Sequence, residues 1–265
     1  MRSDSRRRCH VVIPARYGSS RLEGKPLIDL AGKPMIVRVH DNAAKAASLA
    51  SAECDVTVAT DDLRIAAALD QHDIRYTMTD PEHRSGTDRV AEVARSAGWG
   101  EDDIVVNLQG DEPLFGSELI THFLDFCLLG TTPSVFTACV PITSPEDYRG
   151  PNAVKVVVNR SGTALLFSRS PLPFARDRAD EARAVEAALL HIGIYGYPNA
   201  LLQRICQEPP CSLETIEELE QLRFMWMGIP IHVTQFDRMP GKGVDTLEDA
   251  RLVTQLIEKQ ESSDG

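Results

Sequence analysis

Val11-Val12-Ile13-Pro14-Ala15-Arg16-Tyr17-Gly18-Ser19-Ser20-Arg21-Leu22-Glu23-Gly24-Lys25-Pro26 is the stretch from which the fold is read. Val11–Ile13 is an unbroken β-branched apolar string, the pattern of a strand covered on both faces. The loop that follows holds Gly18, Gly24 and the cations Arg16, Arg21 and Lys25. In an open α/β sheet, ligands bind beyond the carboxyl ends of the strands. Glycines let backbone N–H groups approach phosphate oxygens, and arginine offers them a two-pronged fork. The loop therefore suits a polyphosphate. It is neither G-x-x-x-x-G-K-[ST] nor G-x-G-x-x-G. The alternative is a solvated basic loop, and the clustering of cations in an otherwise acidic chain weighs against it.

Outward from this strand, short apolar runs alternate with helix-length periodic segments. Strands are predicted at Val11–Pro14, Val56–Ala59, Ile74–Met78, Ile104–Leu108, Val135–Val140, Val154–Val158, Ile192–Tyr197 and Ile231–Gln235. Helices are predicted at Pro34–Leu49, Asp62–Gln71, Asp88–Ala97, Ser117–Leu129, Leu213–Met227 and Leu247–Lys259. Such alternation predicts βαβ units, hence an α/β fold: an open, mostly parallel sheet with helices on both faces. Residues 141–212 break the alternation and are richer in Pro and Arg, so they read as a small inserted β subdomain. The expected organisation is one domain over 11–259, with tails at 1–10 and 260–265.

Composition narrows the class. The chain has 265 residues, 43% hydrophobic and 25% charged, as soluble globular proteins do. No run of about 18 apolar residues is present, so no membrane insertion is expected, and the N-terminus lacks a signal peptide's apolar region. The cytoplasm is the expected compartment. With 28 Lys and Arg against 39 Asp and Glu, the net charge is −11, which disfavours a nucleic-acid partner. The cysteines at 9, 54, 127, 139, 206 and 211 show no CxxC spacing, so neither a zinc site nor a disulfide framework is expected.

Four further segments carry candidate chemistry. Asn107-Leu108-Gln109-Gly110-Asp111-Glu112-Pro113 ends a predicted strand. A carboxylate at such a tip suits Mg²⁺, which takes one or two carboxylates plus waters and phosphates. Asp111 is the better candidate ligand than Glu112, while a simple turn explains the same residues equally well. In Gly241-Lys242-Gly243-Val244-Asp245-Thr246-Leu247-Glu248-Asp249, Asp245 is a possible second metal carboxylate, with Thr246 and Asp249 capping the last helix. Two carboxylates over a triphosphate would be a phosphoryl-transfer arrangement. His83-Arg84-Ser85-Gly86-Thr87-Asp88-Arg89 reads as a base- or ribose-binding turn, or as the cap of the helix it precedes. On a wheel of 213–227, Glu214, Glu217, Glu218 and Gln221 share a face that suits sugar hydroxyls or plain solvent.

VVIPARYGSSRLEGKPL, NLQGDEP, HRSGTDR, PNAVKVV, FSRSPLP, HIGIYGY, SLETIEELEQLR and PGKGVDTLEDA, in this order, resemble the 3-deoxy-manno-octulosonate (KDO) cytidylyltransferases, or CMP-KDO synthetases. The resemblance spans residues 11 to about 255. It implies attack of the KDO anomeric hydroxyl on the α-phosphate of CTP, giving CMP-KDO and pyrophosphate. It also implies Mg²⁺ and a cytoplasmic homodimer serving lipopolysaccharide assembly. By motif, Arg16, Arg21 and Lys25 would hold the triphosphate, and Asp111 and Asp245 would bind Mg²⁺. Gln109 and Ser85 would face the base or the sugar. Arg169, His191, Tyr195, Glu214 and Gln221 would line the sugar acid, with Arg169 as the fork for its carboxylate. Two positions depart from the family pattern: Glu23 stands where Pro is common, and Glu82 stands before His83 where the family's loop is usually DHxSG or NHxSG. Competing readings are a cytidylyltransferase for another 2-keto-3-deoxy acid, such as 8-amino-KDO or a nonulosonate, and a non-catalytic nucleotide-binding protein.

Overall fold

The computed structural model describes residues 7–18, 22–83, 85–130 and 133–264. The chain divides into two compact units, Met1–Leu128 with Pro240–Gly265, and Leu129–Met239.

The first unit begins with β1 (Cys9–Ala15), followed by the two-residue strands β2 (Asp29–Leu30) and β3 (Lys33–Pro34) of a small hairpin. There follow α1 (Met35–Leu49), β4 (Cys54–Thr60), α2 (Leu63–Asp70), β5 (Tyr76–Met78), α3 (Gly86–Ser96), β6 (Ile104–Asn107) and α4 (Ser117–Leu129). The strands β6, β1, β4 and β5 lie side by side, all parallel. Val12 is in register with Thr57 on one side and Asn107 on the other. Flanked on both edges, Val11, Val12 and Ile13 are wholly buried, as are Ile104, Val105 and Val106. The apolar stripe of α1, Met35, Ile36, Val39, Ala43 and Ala46, packs inward against β4 and β1, and α3 packs against β1 and β6. This is the parallel, helix-flanked sheet the alternation predicts, with every strand tip pointing its loop to one end.

The second unit contains β7 (Val135–Pro141), α5 (Pro145–Arg149), β8 (Lys155–Val158), β9 (Ala164–Ser168), α6 (Glu181–Ala187), β10 (Leu189–Pro198), α7 (Asn199–Gln207), α8 (Ser212–Glu217), α9 (Gln221–Trp226) and β11 (Ile231–Gln235). Here β11 pairs parallel with β7, and β10 runs antiparallel to both β7 and β8. The hairpin β8–β9 completes it. This unit is wider than the 141–212 excursion because β7 and β11, outside those limits, pair with its members. The last helix, α10 (Leu247–Asp264), belongs to the first unit, where Val253 and Ile257 cluster with Leu30 and Met35.

The structure departs from the sequence reading at several places: β9, α5, α6 and α7 are elements within or beside the 141–212 excursion that were not predicted individually, and β4 and β10 extend beyond their predicted ends. Strand β1 starts at Cys9, two residues into the expected tail, and α10 runs through 260–264 rather than stopping at Lys259. The single helix expected over 213–227 is two. Glu218 adopts the left-handed conformation (φ +50°) and its N–H caps the Glu214 carbonyl, which ends α8. The shared face of Glu214, Glu217, Glu218 and Gln221 is lost with that break.

Candidate functional site

The loops after β1 and β6 meet over the end of the first unit's sheet. Gly110 lies so close to β1 that a methyl group there would come within 2.7 Å of the Pro14 carbonyl oxygen, which only glycine avoids. The Val244 N–H donates to the Asp111 carbonyl at 2.9 Å and so draws the 241–246 segment to the same place. The result is a cavity of about 530 Å³ lined by Arg16, Gly18, Lys25, Gly86, Gln109, Asp111 and Asp245, among others. Of the residues expected on the nucleotide side, Arg16, Lys25, Gln109, Asp111 and Asp245 share its walls. Ser85 adjoins it: its hydroxyl accepts the Asp88 N–H at 3.1 Å as N-cap of α3, and Gly86 beside it forms part of the lining. Arg21 lies outside the described residues.

Lys25 is the centre of the arrangement. A 3-10 turn, Lys25–Leu27, with Pro26 in its first positions and Gly24 in the left-handed region before it, aims the side chain inward. Its Nζ donates to Asp111 Oδ2 at 2.6 Å and to Asp245 Oδ1 at 2.9 Å. Burial alone would lower the ammonium's pKa, but the two carboxylates outweigh it and hold it above its ordinary value. Glu112, half-buried beside them, responds oppositely: burial, then the negative charge of Asp111, pushes it up to about 8. Burial and the neighbouring carboxylate thus favour the neutral form of Glu112.

This donor set fits Mg²⁺. Among the described residues no three metal-ligating side chains converge, so no closed protein cage exists. Two aspartates whose oxygens already share one cation, in a cavity with room for phosphates and waters, are what Mg²⁺ uses. Behind them, Thr246 and Asp249 form the expected reciprocal cap of α10: the Asp249 N–H donates to Thr246 Oγ1 at 3.1 Å, and the Thr246 N–H to Asp249 Oδ2 at 2.9 Å.

One residue of the His83–Arg89 motif was given no role of its own in the sequence reading. Arg89, fully buried, lines the cavity, with Nη2 on Asp61 at 2.6 Å and Nη1 on Thr79. It fastens α3 to the segments after β4 and β5. In the sequence it closes the HRSGTDR motif and stands as a cation on the apolar face of α3, beside Val90 and Val93.

The residues expected to line the sugar acid all fall in the second unit. His191 stacks edge-on to Phe167, with Nε2 2.9 Å from Thr137 Oγ1, and burial pushes its pKa down to about 3. Tyr195 packs between His191 and Phe224, its phenol pushed up by burial. Gln221 is buried at the start of α9. The Arg169 guanidinium donates to the backbone carbonyls of Glu217 at 2.6 Å, Pro151 at 2.9 Å and Glu218 at 3.4 Å. The Arg223 fork grips Glu214, with contacts of 2.8 and 2.6 Å. Thus His191 and Tyr195 pack together, whereas Arg169 and Glu214 also brace the turn between α8 and α9.

A parallel α/β sheet with a cationic, glycine-bearing loop at one strand tip and paired aspartates facing it defines a nucleotide-handling protein of the nucleotidyltransferase type. A family model described as cytidylyltransferase matches residues 10–231. A protein named 3-deoxy-manno-octulosonate cytidylyltransferase 2 from Burkholderia ambifaria is 50% identical over 96% of this chain and 94% of its own length. A protein of the same name from Paraburkholderia phytofirmans is 49% identical over 94% and 93%. The solved structure of CMP:2-keto-3-deoxy-manno-octonic acid synthetase complexed with CTP superposes with a TM-score of 0.86 at 41% identity, covering 96% of this chain and 99% of that one. The chain belongs to the cytidylyltransferase family, among the 3-deoxy-manno-octulosonate cytidylyltransferases.

Proposed function

We propose that the protein couples CTP to the anomeric hydroxyl of KDO. The anomeric oxygen forms a bond to the α-phosphorus, the bond from that phosphorus to the bridging oxygen breaks, and pyrophosphate leaves. The hydroxyl proton passes to solvent. The convergence of Lys25, Asp111 and Asp245 in one cavity at the sheet's end carries this reading, together with relatives of that name aligned over nearly the whole chain.

In this reading Arg16 and Lys25, with Arg21, neutralise the triphosphate as negative charge shifts to the leaving group. Asp111 and Asp245 would hold Mg²⁺, which would supply Lewis-acid chemistry there, lowering the pKa of the attacking hydroxyl and screening the phosphates. Gln109 and Ser85 face the nucleotide side. On the acceptor side, His191, kept neutral by burial, and Tyr195 offer hydrogen bonds to sugar hydroxyls. Gln221 and Glu214 do the same, and Arg169 meets the acid's carboxylate. On the family likeness we place the enzyme in the cytoplasm as a homodimer. No helix of the described residues is long and apolar enough to cross a membrane.

Pyrophosphate release from CTP and Mg²⁺ against KDO, 8-amino-KDO, N-acetylneuraminic acid and no acid tests the reading. Release with KDO is expected. Release with another acid alone keeps the chemistry and moves the acceptor, and silence with all four overturns it.

A further inference from the structure

The loop that bears Arg16 and Lys25 is gripped from outside the cavity. The Gly24 N–H donates to the Tyr17 carbonyl at 3.0 Å, which ties the loop's two ends together. Gly24, at φ +68°, lies against the Tyr17 phenol so closely that a methyl there would sit 3.2 Å from its Cζ and hydroxyl. Over the same ring stands the Arg64 guanidinium, its carbon 3.2 Å from the ring centroid. Arg64 is itself clamped by Asp62, through Nε to Oδ1 at 2.9 Å and Nη2 to Oδ2 at 2.7 Å. Asp62 is in turn the N-cap of α2 and accepts the Arg64 N–H at 2.8 Å. A rigid helix end thus holds a carboxylate, the carboxylate a guanidinium, the guanidinium a ring, and the ring the residue before Lys25. Only a planar guanidinium can fork a carboxylate and stack on an aromatic face at once. Neither Arg64 nor Tyr17 is among the lining of the cavity.

We infer that Arg64 is a positioning residue: acting through Tyr17, it sets the nucleotide loop so that Arg16 and Lys25 face the triphosphate. It touches neither substrate. The inference rests on the reading that the cavity takes CTP. Because the Arg64 side chain is 59% exposed, its replacement opens no hole in the core.

The test is a double-mutant cycle on Arg64→Met and Tyr17→Leu, read by steady-state kinetics and by calorimetric affinity for CTP with Mg²⁺. Each single change should raise KM for CTP about two- to fivefold, as loss of an exposed cation–π contact implies. The kcat and the KM for the acid should stay within about twofold. The double variant should be no worse than the poorer single one, because both remove the same contact. Tyr17→Phe, which keeps the ring, should restore KM for CTP. An unchanged KM for CTP in Arg64→Met, or effects that multiply in the double variant, would overturn the inference. If wild type binds CTP but turns over no acid, the proposed reaction fails while the calorimetric cycle still decides the loop's positioning. If wild type does not bind CTP at all, both fall.

Discussion

Lys25 shows what can and cannot be read one residue at a time. Its charge and its place after a strand mark it as a phosphate contact in the sequence. That it also joins Asp111 and Asp245 cannot be read there, because those partners lie 86 and 220 positions away. Asp111 was separable from Glu112 in the sequence only by its place directly after Gly110; in the structure, burial beside another carboxylate favours the neutral form of Glu112. Asp111→Asn should therefore lower kcat by about 10²–10³-fold, the scale on which lost transition-state electrostatics are felt. Its stability should hardly change, since the Asp111 side chain is 39% exposed and the carbonyl that receives Val244 N–H survives. A purified variant with normal turnover would remove Asp111 from the chemistry; a collapsed melting temperature would make its role structural instead.

At the scale of elements, the strands were the most legible. A strand shielded on both faces must be apolar at every position, and Val11–Ile13 and Ile104–Val106 advertise this directly. Capping was legible too, in Ser85 for α3 and in Thr246 with Asp249 for α10. The α8–α9 break was not, because neither Gly nor Pro marks it. Tertiary contacts hold Glu218 left-handed: Arg169 bridges the carbonyls of Glu217 and Glu218, and Arg223 grips Glu214. An L-residue in that region costs roughly 1–2 kcal/mol, which glycine avoids. Glu218→Gly should stabilise the protein by about 0.5–1 kcal/mol after its own entropy loss, raising Tm by about 1–4 °C. Thermal unfolding checks this, and a lowered Tm would mean that the Glu218 side chain contributes more than its backbone strain costs.

Across the whole molecule, the candidate residues sort by unit. Arg16, Lys25, Gln109, Asp111 and Asp245 belong to the first unit, while Arg169, His191, Tyr195, Glu214 and Gln221 belong to the second. The chain is acidic overall, at −11, and the wall of the cavity carries the cations Arg16, Lys25 and Arg89. If the proposed residues divide the two substrates between the units, the substrates should respond to separate substitutions. Arg16→Ala, at an exposed position on the cavity wall, should raise KM for CTP about tenfold and leave KM for the sugar acid within about twofold. Tyr195→Phe removes one hydroxyl from a buried ring and should do the reverse, raising KM for the acid by about three- to tenfold. Initial-rate kinetics with each substrate varied at saturating levels of the other measures both. Equal effects of either change on the two KM values would contradict the division of labour. An effect of Tyr195→Phe on CTP alone would place its ring beside the nucleotide instead.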